Sequence, residues 1–128
     1  MLRKIGLGLL CAGALLATDT AVARVHELAP RMTLKYTLEP GQPEVLTNFT
    51  LWTINAECTI NTEDDADIIH VRALNRSGEI DNIKLKTNEE LDVLVRNNQV
   101  LKLKAESAAK VELVNNGEHV LVATCKTA

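Results

Sequence analysis

From Met32 to Cys125 the chain alternates apolar and polar residues with a period of two. Turn chemistry interrupts the alternation about every 8–12 residues. That pattern suits only one kind of element. Period two puts apolar side chains on a single face of a strand, but scatters them all round a helix. Met32, Leu34, Tyr36 and Leu38 share one face, and Glu39-Pro40-Gly41 ends the run. A long second run places Leu46, Thr50, Trp52, Ile54, Ala56, Cys58 and Ile60 at one parity. Phe49 and Leu51 break its first half, which is read as bulged or covered on both sides. Further strands carry Ile69, Val71 and Ala73; Ile83 and Leu85; Leu91, Val93 and Val95; Leu101, Leu103 and Ala105; Val111 and Leu113; and Leu121, Ala123 and Cys125. Asn75-Arg76-Ser77-Gly78, Arg96-Asn97-Asn98-Gln99 and Asn115-Asn116-Gly117 supply turns. Thr87-Asn88-Glu89-Glu90 fits a helix capping box, yet the β-branched residues after it favour a strand. The expected fold is an all-β, immunoglobulin-like β-sandwich of about 7–8 antiparallel strands. Arg24 to Pro30 is expected to form a loose arm and Lys126 to Ala128 a frayed tail.

The N-terminus sets the compartment. Arg3 and Lys4 precede an apolar run from Ile5 to Leu16, and Ala21-Val22-Ala23 fits a small-x-small cleavage site. Residues 1–23 therefore read as a cleaved signal peptide and residues 24–128 as one domain. The apolar core is about a dozen residues, short of the roughly 20 that span a bilayer. Lipidation at Cys11 is disfavoured by Leu10 just before it. The predicted destination is the periplasm or the extracellular space.

Two cysteines remain in the predicted mature chain, Cys58 and Cys125. In an oxidising compartment such a pair reads as a disulfide. It closes a loop of about 68 residues, for roughly 4 kcal/mol of stabilisation. Both cysteines share their strand's apolar parity, so the bond should lie in the core. Trp52, six residues before Cys58, is expected in that core too. In an immunoglobulin domain, however, the tryptophan lies between the cysteines, and here it precedes both.

The mature chain carries 12 basic and 16 acidic residues, a net charge of −4 with His neutral. Nucleic-acid affinity rests on neutralised phosphates, so nucleic acid is excluded as a partner. Anionic membrane surfaces are disfavoured for the same reason, and no membrane insertion is expected after leader cleavage. With only Tyr36, Phe49 and Trp52 as aromatics, stacking platforms for bases or sugars lose weight as well.

No catalytic motif emerges. His26, His70 and His119 lack zinc-ligand spacing and read as surface residues. Ser77 and Ser107 lie outside any nucleophile-elbow setting. Glu63, Asp64, Asp65 and Asp67 do not match a calcium loop and read as a solvated connection. No metal or cofactor is expected. Asn48-Phe49-Thr50 and Asn75-Arg76-Ser77 are glycosylation sequons, expected to be unmodified.

Leu46 to Ile60 (LTNFTLWTINAECTI) and the Val-Glu-Leu-Val-Asn-Asn-Gly stretch within Ala109 to Cys125 resemble small secreted β-rich proteins of intracellular Gram-negative bacteria. These include substrates of type II secretion, which exports proteins already folded in the periplasm. The resemblance implies export and interaction with a host or a surface, and it transfers no catalytic residue. The expected function is a non-enzymatic protein-interaction module, its surface formed by a sheet edge or by loops carrying Glu63, Asp64, Asp65, Asp67, Asn75 and Arg76. An open edge also allows a homodimer. The alternatives are a small hydrolase whose carboxylates converge only in the fold, and a periplasmic assembly or envelope-structural factor.

Overall fold

A computed structural model describes residues 22–128. Of the predicted leader, only Val22 and Ala23 fall within that range. The alternation produces eleven strands among the described residues: β1 Arg24–Leu28, β2 Thr33–Leu38, β3 Glu44–Asn48, β4 Ile54–Asn61, β5 Asp67–Asn75, β6 Gly78–Ile80, β7 Ile83–Leu85, β8 Glu90–Val95, β9 Gln99–Ala105, β10 Lys110–Asn115 and β11 Leu121–Thr127. They form two sheets. One has six strands in the order β2-β11-β4-β9-β6-β7, and the other five in the order β1-β3-β10-β5-β8. Every pairing is antiparallel except β1 with β3.

The buried parity of each sheet feeds one apolar cluster. Ile54, Ala56, Cys58 and Ile60 of β4 meet residues such as Ile69, Val71 and Ala73 of β5 and Leu113 of β10. Each fully buried aliphatic side chain stabilises the fold by roughly 1.5–3 kcal/mol, so one shared apolar layer is what holds the sheets together. The fold is therefore all-β and sandwich-like, with one disulfide. Cys58 and Cys125 are facing partners on neighbouring strands β4 and β11, with Cα atoms 3.9 Å apart, and both are buried.

Several expectations need correction. There are eleven strands, because short pieces such as β6 and β7 add pairings that periodicity alone does not reveal. The run from Leu46 to Ile60 is not one strand. It breaks at residues 49–53 and crosses from the five-stranded to the six-stranded sheet. Trp52 lies on that crossing and is 69% exposed rather than in the core. Arg24–Leu28 is not a loose arm but β1, paired in parallel with β3. Lys126 and Thr127 are not frayed. They end β11, and the Ala128 N–H donates to the Asn55 carbonyl at 3.1 Å. Gly78 closes no turn but starts β6, where a Cβ would stand 2.9 Å from the Lys104 carbonyl oxygen. Only glycine permits that close strand approach.

Candidate functional site

The crossing from β3 to β4 exposes Phe49 (62%), Leu51 (84%) and Trp52 (69%) together. They include the only phenylalanine and the only tryptophan of the chain. A surface loop normally carries small polar residues; three large apolar ones on a single loop need a cause. The cause does not lie in collapse onto the core, because the backbone beneath them is held from below. Asn48, the last residue of β3, is fully buried. Its side-chain amide nitrogen lies 2.7 Å from the Trp52 carbonyl oxygen, 3.0 Å from that of Ala105 and 3.1 Å from that of Glu106, and its two N–H groups are shared among these three acceptors. Its Oδ1 accepts from the Thr50 N–H at 2.9 Å and the Thr50 hydroxyl at 2.6 Å. The Ser107 hydroxyl donates to the Thr50 carbonyl at 2.6 Å. One buried amide thus fixes both the loop and the β9–β10 turn that supports it. The same burial leaves the Asn48-Phe49-Thr50 sequon without an accessible acceptor in the folded chain.

Neighbouring turns join this platform. The Asn75 side chain donates to the Ala108 carbonyl at 2.9 Å, and the Thr87 hydroxyl to the Arg76 carbonyl at 3.0 Å. Ala108 sits at φ 66°, a left-handed conformation that costs a non-glycine residue energy. Its N–H donates to the Asn48 carbonyl at 2.9 Å, which helps hold it there. The Glu106 carboxyl is pulled below its ordinary range, first by its hydrogen bond to Ser77.

The loops singled out from sequence do not form one site. Asp67 starts β5 and Asn75 ends it, so the acidic loop and the Asn75–Arg76 turn lie at opposite ends of a nine-residue strand. The acidic cluster itself divides. Asp67 is buried and accepts from the Thr62 hydroxyl at 2.6 Å, and Asp64 faces His119 Nδ1 at 2.9 Å. Glu63 and Asp65 are exposed. Asn75 and Arg76 are exposed as well, beside the apolar tip.

Two polar clusters escaped the sequence reading. Glu44 is fully buried, with Arg24 Nε and His26 Nε2 each 2.7 Å from its carboxylate oxygens. The His26 ring stacks on Tyr36 at 4.7 Å, and the Tyr36 hydroxyl stands 3.7 Å from Cys125 Sγ. Burial pushes the Tyr36 pKa up strongly, and the Glu44 charge adds to it. His26 is therefore a half-buried link that pins β1, not an ordinary surface residue. Nothing in its neighbourhood in sequence signals this, because Glu44 lies 18 residues away. On the outer face of the five-stranded sheet, His70 faces Asp92 at 2.7 Å through Nδ1 and Glu90 at 2.5 Å through Nε2. Those contacts, Asp92 first, hold its pKa above the ordinary value. With both ring nitrogens engaged, His70 has none left for a metal. Among the described residues no group of three or more His, Cys, Asp or Glu side chains is placed to hold a metal ion.

Carboxylates do meet in one trough of about 460 Å³ on the outer face of the six-stranded sheet, where Glu57 and Glu79 stand among Lys102, Lys104 and Lys126. Lysines alternate with them there, and Lys104 Nζ lies 3.9 Å from Glu79. That is a solvated charge ladder across strands rather than a pair of carboxylates in an apolar-lined cleft. No protein-family model matches the chain, and neither a curated protein nor a solved structure matches it.

Proposed function

We infer that the chain is a non-enzymatic docking module of an oxidising compartment outside the cytoplasm, secreted or periplasmic, and that its working surface is the Phe49–Trp52 tip. One observation carries this reading: three large apolar side chains stand in solvent on a backbone tied down by a buried asparagine. An unused apolar tip costs solubility and invites aggregation, so its fixed display is best explained by a partner that covers it. The buried disulfide supports the compartment, because such bonds persist where thiols are oxidised. Export by type II secretion rests on the sequence resemblance, and a disulfide-stapled domain suits a route that carries folded proteins. An immunoglobulin-like arrangement gains nothing from the disulfide, which joins neighbours in one sheet where immunoglobulin domains bridge two. The tip replaces the acidic loop as the principal contact, while β2, β7, β1 and β8, the outermost strands among the described residues, keep strand addition and a homodimer among the proposals.

The test is sedimentation with washed cell envelopes. The wild-type chain is expected to sediment with them. A variant carrying Phe49→Ser, Leu51→Ser and Trp52→Ser is expected to stay in the supernatant with an unchanged melting temperature. If the triple variant sediments as well as the wild type, the tip is not the docking surface.

A further inference from the structure

We propose that the tip docks on a phospholipid surface, with Phe49, Leu51 and Trp52 entering the boundary between headgroups and acyl chains. This rests on the docking reading above and names its partner. The first ground is the state of the tip's backbone. A segment entering lipid leaves water behind, so each backbone group that already has a partner lowers the cost of entry. At Thr50 and Trp52 both groups have one: the Thr50 carbonyl accepts from Ser107 and the Trp52 carbonyl from Asn48, while the Thr50 N–H donates to Asn48 Oδ1 and the Trp52 N–H to the Thr50 hydroxyl at 3.3 Å. A protein partner that added a strand along the tip would find those four groups taken, and at Phe49 and Leu51 only the side chains, with their backbone left at the headgroup level, need enter. Trp52 also has the amphipathic ring that settles at a membrane–water interface.

The second ground is the segregation of charge between the two ends of the fold. The turns around the tip carry exposed Arg31, Arg76 and Lys86 against Glu89 and Glu106. Arg31 and Arg76 occupy left-handed turn positions, at φ 57° and 58°. The turns of the opposite end carry Glu39, Glu63, Asp64, Asp65 and Glu118 against Arg96. An anionic bilayer would therefore repel one end of the molecule and accept the other. The net charge of the mature chain argued against such a surface, but net charge averages over this polarity. Apolar insertion by a few side chains is marginal alone, and nearby cations supply the second signal that makes it hold.

Trp52 is the sole tryptophan, so its emission reports on the tip alone. The oxidised protein is titrated with vesicles of phosphatidylethanolamine and phosphatidylglycerol, and separately with phosphatidylcholine. The expected result is a blue shift, protection from acrylamide and quenching by brominated acyl chains, all stronger with the anionic vesicles. Leu51→Ser should reverse the shift. Arg31→Asn, Arg76→Asn and Lys86→Gln, with asparagine chosen because it tolerates left-handed backbone, should each weaken anionic-vesicle binding about fivefold at low salt. An emission spectrum unmoved by either vesicle overturns the lipid proposal. If envelope sedimentation then still depends on the tip, the docking module stands and its partner is a protein. If sedimentation is also independent of the tip, both readings fall.

Discussion

Strand β4 carries a loop at each end, and the two differ in almost every respect. The loop before it, residues 49–53, is apolar and exposed, whereas the loop after it, residues 62–66, is acidic and polar. Each end of the two-sheet fold nevertheless uses the same device. Asn48 closes β3 at the tip end, and Asn115 closes the neighbouring β10 at the acidic end; both are fully buried. The Asn115 amide donates to the Leu38 and His119 carbonyls, each at 2.8 Å, and its Oδ1 accepts from the Gly117 N–H at 2.7 Å. A buried amide with every group satisfied can order a turn of any composition, so loop order and loop polarity are independent. At the acidic end the ordered turn leaves charges in water, where they cost nothing. At the tip end it holds apolar surface in water, which is unfavourable unless something covers it.

The largest perturbation should move both ends together. Replacing Cys58 and Cys125 by alanine removes a link spanning 67 residues of sequence, and about 4 kcal/mol of stability should go with it. Equilibrium denaturation measures the loss, and hydrogen exchange should speed up at both ends. A loss confined to one end would mean that the ends are not coupled through β4 and β11.

Substituting the two asparagines separates the ends. Asn48→Ala leaves three carbonyls and the Thr50 N–H short of a partner, and should cost about 3 kcal/mol. Trp52 fluorescence anisotropy should fall with it. Asn115→Ala strands fewer groups, should cost about 2 kcal/mol, and should leave Trp52 unaffected. Equal losses, or a Trp52 response to Asn115→Ala, would break the claim that each amide orders its own end.

The smallest effect lies between the ends, at His70. Its folded pKa is raised above the ordinary 6.5, with Asp92 the first cause and Glu90 the second. The contact stabilises the protonated ring, so its contribution is complete below about pH 6.5 and fades as pH rises through the folded value. His70→Gln should therefore flatten the part of the stability profile that declines above that pH. Because the pair is largely exposed, the difference should be small and should shrink further with added salt. A variant with an unaltered profile would show that the clip between β5 and β8 contributes nothing.

The sequence by itself determined the element type, most strand positions and the inward parity of Cys58 and Cys125. These follow from a period of two, which is a property of neighbouring residues. It also held a trace of the tip. Phe49 and Leu51 violate the parity of the run, and three bulky apolar residues on both parities cannot all face one core. Only the tertiary structure decided that the violation marks a crossing between sheets rather than a bulge, because where a chain leaves its sheet depends on pairings with strands far away in sequence. The same holds for Glu44 with His26, for His70 with Asp92, and for the amide of Asn48. A buried polar group is recognisable only when its distant partners are in place, since its desolvation is offset by bonds that no local pattern encodes.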